Sequence, residues 1–155
     1  MEYKKLKGDY EKFAKKYKLP SFDKINLYFE VDKINYESEY FLRVVKKAML
    51  EKVFNFISFL DMLLNPLTAP RMYLPYIKQM STADKELISK LYDKFSHLAM
   101  SSLVLEAEYN EKKEAEFINK IYETWKELSP EIRKLMESVE KPVETSVKKD
   151  KFYFG

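Results

Sequence analysis

Reactive side chains are few in this sequence, and their spacing limits the chemistry. The sole histidine, His97, follows Asp93 by four residues. On a helix that spacing sets both on one face, where they could hold one edge of a metal ion. A di-iron bundle needs four carboxylates and two histidines, with Glu-x-x-His on two helices. One His cannot supply that set, so the pair reads as a contact at a helix rim and no metal is expected. Glu106, Glu108, Glu111, Glu114 and Glu116 cluster further on. They lack the glycine-turned acidic loop of an EF-hand and read as a solvated acidic face, with Lys112 and Lys113 as counterions.

Asp61 is the only charge in the most apolar run, VFNFISFLDMLL at residues 53–64. With Asn55 and Ser58 it draws a polar stripe at every third residue. A carboxylate buried there would suit an enzyme or small-ligand pocket; a solvent-facing strip is the plainer alternative. Cysteine is absent, which removes thiolate nucleophiles, disulfides and thiolate metal sites. Two glycines this far apart cannot form a phosphate-binding loop. No nucleophile and base stand together. The expectation is a non-catalytic chain without a cofactor.

What remains is binding chemistry. Three consecutive aromatics, Phe152, Tyr153 and Phe154, precede Gly155 and follow Lys148, Lys149 and Lys151. Exposed, they would leave a large apolar area in water, so they should dock on this chain, on a second copy or on another protein. The stretch NPLTAPRMYLPYIKQM at residues 65–80 holds Arg71, Tyr73 and Tyr76, and aromatics with Arg are the composition of interface anchors. Lys4, Lys5, Lys12, Lys15 and Lys16 fall mainly on one face of the first helix. Joined by Lys148 and Lys149, they could contact phosphates of RNA in a salt-dependent way. Protein–protein interaction or self-association is the leading expectation and nucleic acid the alternative.

These groups need elements to hold them. Tyr3, Leu6, Tyr10, Phe13 and Tyr17 step by three or four, which predicts a helix over 2–17. Ser21 caps a short second helix containing Phe22, Ile25 and Phe29. A long central helix is expected over about 36–64, amphipathic at first and deeply buried in its second half, with Glu39–Arg43 and Lys47–Glu51 pairs. Pro66, Pro70 and Pro75 interrupt the connector. Ser81 to Asp84 resembles a capping box and opens a helix expected to reach Tyr109, with Asn110 as break and cap. Another helix carries Ile118, Ile121 and Trp125. Ser129-Pro130-Glu131 reads as the start of a last helix, which ends before Pro142.

The expectation is an all-α, single-domain bundle of five or six helices over 1–141, with a C-terminal tail over 142–155. Net charge is only +3, with basic ends and an acidic middle, short of the stripe that marks a dedicated nucleic-acid domain. Abundant Lys and Glu suit a thermophile-like composition. The start, MEYKKLKGDY, has no apolar signal core. The longest apolar run is below the ~20 residues of a membrane span, so a cytoplasmic setting is expected.

Overall fold

The computed structural model describes the backbone of residues 2–35 and 39–154 and the side chains of 2–35 and 39–141. It is all-α, with no strand among the described residues. The helices are α1 (Glu2–Tyr17), α2 (Phe22–Phe29), α3 (Phe41–Leu64), α4 (Leu74–Gln79), α5 (Thr82–Ser101), α6 (Leu103–Ala107) and α7 (Glu111–Phe154). Short 3-10 turns cover Val31–Lys33 and Arg71–Tyr73. No helix among the described residues is long and apolar enough to cross a membrane.

The chain divides into two compact units, one of residues 1–55 and 97–126, the other of 56–96 and 127–155. In the first unit, α1 buries Leu6, Tyr10 and Ala14. Tyr10 donates its hydroxyl to the Pro20 carbonyl at 2.7 Å and meets Phe22 edge to face. Glu11 accepts from the Phe22 amide at 2.8 Å, so α1 fixes the start of α2. Ser21 caps α2 as expected. Phe29 then packs edge-on against Trp125 of α7. In the second unit, Phe56 of α3 meets Phe95 of α5 edge to face, and Phe59 meets Tyr73 of the connector. The capping box is formed in both directions: the Ser81 amide donates to Asp84 at 3.0 Å, and the Asp84 amide to Ser81 Oγ at 3.1 Å.

Four expectations change. First, α3 starts at Phe41, so Glu39 precedes the helix and Arg43 finds its carboxylate elsewhere; residues 36–38 lie outside the described residues. Second, burial does not deepen along α3. Its front half buries Phe41, Leu42, Val45, Met49 and Leu50, whereas Phe54 and Leu64 of the second half are exposed. Only the seam Val53, Phe56, Leu60, Leu63 is buried in the second half. Apolar composition had suggested cover on all sides, but one seam is what meets neighbours.

Third, the helix after Ser81 stops at Ser101. The Ser101 hydroxyl donates to the His97 carbonyl and that of Ser102 to the Ala99 carbonyl. Such local bonds compete with helix continuation, and Leu103 and Val104 are left exposed on the short α6. Asn110 then caps α7, its side chain accepting from the Lys113 amide at 3.0 Å. Fourth, α7 runs without a break through Pro130 and on to Phe154. Pro130 is exposed, so the carbonyl deprived of its amide partner can be hydrated. Residues 142–154, expected as an aperiodic tail, continue the α7 backbone. Three lysines, Lys148, Lys149 and Lys151, lie there, and Lys favours helix.

Candidate functional site

The most concentrated polar chemistry lies in the first unit, where α3 meets α6 and the first turn of α7. Lys46 and Glu114 have no solvent-exposed side-chain area, and their Nζ and Oε2 atoms are 2.7 Å apart. Arg43 Nε lies 3.1 Å from the other Glu114 oxygen, and its Nη2 donates to the Leu105 carbonyl at 2.6 Å. Glu106 reaches Lys46 Nζ at 3.4 Å and Lys47 at 3.8 Å. The Arg43 guanidinium also covers the Tyr109 and Tyr40 rings, which lie 4.2 Å apart. Burial pushes the Tyr109 hydroxyl pKa up, Glu111, Glu114 and Tyr17 add to this, and Arg43 opposes it.

Glu114 is thus no part of a solvated acidic face. Its counterions are Lys46 and Arg43, whereas Glu111 pairs with Lys16 at 3.4 Å. Both members of the buried pair carried a readable signal. Lys46 sits four residues after Leu42 and three before Met49, inside the apolar arc of α3. Glu114 sits four before Ile118 and seven before Ile121, inside that of α7. A charge within an apolar arc needs an opposite charge across the interface. Chemically the cluster is a clamp: two cations, Lys46 and Arg43, close on the one Glu114 carboxylate.

The other candidates are placed as follows. Asp93 and His97 are exposed, and no cluster of three potential metal-ligating side chains occurs among the described residues. Asn55, Ser58 and Asp61 are all exposed, so the stripe is a solvent strip and Asp61 is not a buried carboxylate. Lys4, Lys5, Lys12, Lys15 and Lys16 are exposed, but Lys12 pairs with Asp9 and Lys16 with Glu111. The side chains of Lys148, Lys149, Phe152, Tyr153 and Phe154 lie outside the described residues.

In the second unit the connector splits in two. Arg71 is exposed and Tyr73 half-buried, but Tyr76 is buried. Tyr76 is therefore core, because α4 turns it inward. Leu67, at 96% exposure, and Met72, at 63%, are the open apolar groups. Arg71, Leu74, Pro75, Lys78 and Gln79 line a shallow groove.

The buried Tyr76 hydroxyl has no hydrogen-bond partner among the described residues. Burial, with Asp84 adding, pushes its pKa up to about 12. An unfolded tyrosine ionises near 10. Between these values the folded state holds the proton and the unfolded state loses it, so Tyr76 makes stability fall as pH rises from about 10 to 12. Tyr10, raised in the same direction by burial, steepens that fall. Tyr76→Phe is expected to flatten the alkaline slope. It should also raise stability at pH 7 by roughly 1 kcal/mol, because an orphaned donor is removed. Urea midpoints measured from pH 7 to 12 check both.

No protein-family model, curated protein or solved structure matches this chain.

Proposed function

We propose that this chain is a non-catalytic helical interaction module whose connector docks an apolar, acid-flanked segment of another protein. The carrying observation is the pair of open apolar side chains, Leu67 and Met72, on the connector that also carries Arg71. Leu67 is almost fully exposed and Met72 largely so, and an apolar partner would remove both from water. Arg71 and Lys78 are both exposed, and neither is in ion-pair or hydrogen-bond contact with a described residue. Two cations with no ion pair among the described residues, on the same connector and helix as open apolar side chains, complement a segment that interleaves apolar residues with Asp or Glu. An Arg at the edge of an apolar patch also has the donor geometry to grip a carboxylate in two places.

Selection of displayed random peptides on the intact chain tests this reading. Enriched peptides should combine an apolar anchor with nearby Asp or Glu, and should lose at least tenfold in affinity for Leu67→Asp/Arg71→Glu. Both positions are exposed, so the variant should fold normally. A selection that yields no binder, or binders indifferent to the two substitutions, overturns the proposal.

A further inference from the structure

A second, separate site is built into the first unit. Between the α2 end and the front half of α3 lies a cleft of about 710 Å³, within the ~300–1,000 Å³ range of small-molecule sites. Its apolar lining comes from Phe29, Ile34, Val44 and Ala48. Its charged lining is Lys33, Lys47 and Lys52 against Glu30 and Glu51, three positive charges and two negative.

The five charges are not equivalent. Lys33 is tied to Glu30 at 3.3 Å, and Lys47 leans toward Glu106 at 3.8 Å. Lys52 is different. It is half-buried and donates to the Tyr28 carbonyl. Its ammonium lies 5.1 Å from the centre of the Trp125 ring and 6.0 Å from that of Phe29. It has no ion-pair contact with a described carboxylate. Desolvation lowers its pKa, with Glu30 opposing from a distance. Elsewhere in the same unit a buried lysine, Lys46, is met by a carboxylate at 2.7 Å. A partly dehydrated cation facing a cleft, with no carboxylate paired to it among the described residues, is suited to receive an anion, since charges removed from water need compensation.

We propose that this cleft binds a small amphipathic anion, with one carboxylate or phosphate head on Lys52 and an apolar body along Ile34, Val44 and Ala48. An ammonium has three donors, and the Tyr28 carbonyl takes one, so two remain for the head group. Glu51, on the rim, favours a singly charged head over a doubly charged one. The site is independent of the connector surface.

The chain carries its own reporter, because Trp125 is its only tryptophan and contacts Lys52. Titration with decanoate below its micellar concentration at pH 7 should give a saturable change in Trp125 emission. Decyltrimethylammonium, with an equal tail and opposite charge, should give none. Lys52→Met should weaken decanoate binding at least tenfold, and Lys52→Arg should keep it within about threefold. Ala48→Phe, which fills the floor and leaves Lys52 in place, should also abolish saturation and serves if Lys52→Met fails to fold. Decyl phosphate in place of decanoate distinguishes the two head groups, and saturation by either supports the site. Absence of saturation by both anions in the unsubstituted chain overturns the proposal. So does equal binding of the cation, or retention of wild-type affinity in both Lys52→Met and Ala48→Phe.

Discussion

Glu114→Gln lowers the free energy of unfolding by about 3–5 kcal/mol, the usual cost of removing one member of a buried ion pair. The size follows from burial. Lys46 and Glu114 have no exposed side-chain area, so the substitution leaves an ammonium in the interior with only Glu106, at 3.4 Å, to face it. Arg43 loses its carboxylate as well but keeps the Leu105 carbonyl and some solvent, so its share is smaller. Gln preserves the shape of Glu, and the loss therefore reports charge rather than a cavity. Replacing both partners, Lys46→Met with Glu114→Leu, should recover most of the loss, because a buried pair exchanged for packed apolar groups is often neutral. Urea denaturation of the three variants by far-ultraviolet circular dichroism gives the comparison. If Glu114→Gln costs less than about 1 kcal/mol, the level of an exposed pair, the clamp is not the buried contact described above.

Pro130→Ala is expected to act in the opposite direction. Pro130 lies inside α7, nineteen residues after its start at Glu111. An interior proline lacks the amide donor and crowds the preceding turn, at a cost of ~3 kcal/mol relative to Ala. Alanine also enlarges the unfolded ensemble, which offsets about 0.4–1 kcal/mol. A net gain of about 2–2.6 kcal/mol should remain. For a chain of this size that is about 4–10 °C in Tm, readable by differential scanning calorimetry. A fall in Tm would mean that α7 is interrupted at Ser129-Pro130, as the local sequence suggested.

That contrast shows which parts of the fold are legible in the sequence. Features decided within four residues were readable: the Ser21 cap, the Ser81–Asp84 box, the Asn110 cap and the seam of α1. Features decided by what lies opposite were not. Ser129-Pro130-Glu131 has every local mark of a helix start, yet Leu128, Ile132 and Leu135 are buried on one uninterrupted seam, and seam burial outweighs the local preference. Phe54 and Phe56 are the same residue type on the same helix, and only their neighbours make one exposed and the other buried. Tyr73 and Tyr76 carry the same anchor signal, but Tyr73 closes the 3-10 turn and lies half-buried against Phe59, whereas Tyr76 sits in α4 and is buried. The clamp is not legible as a pairing because Arg43 and Glu114 stand 71 positions apart, beyond any local pattern. The cleft at Lys52 is not legible because its walls come from α3 and from the chain between Phe29 and Ile34, and its lysine resembles every other lysine in the sequence.

The 71-residue separation also bears on synthesis. At ~5–20 residues per second, Glu114 leaves the ribosome roughly 4–14 s after Arg43. Throughout that interval Lys46 must keep its water, so the front of α3 emerges with a hydrated charge inside its most apolar arc. A hydrated charge within an apolar segment disfavours association through that segment, and the Glu114 carboxylate is what Lys46 meets once the helix is enclosed.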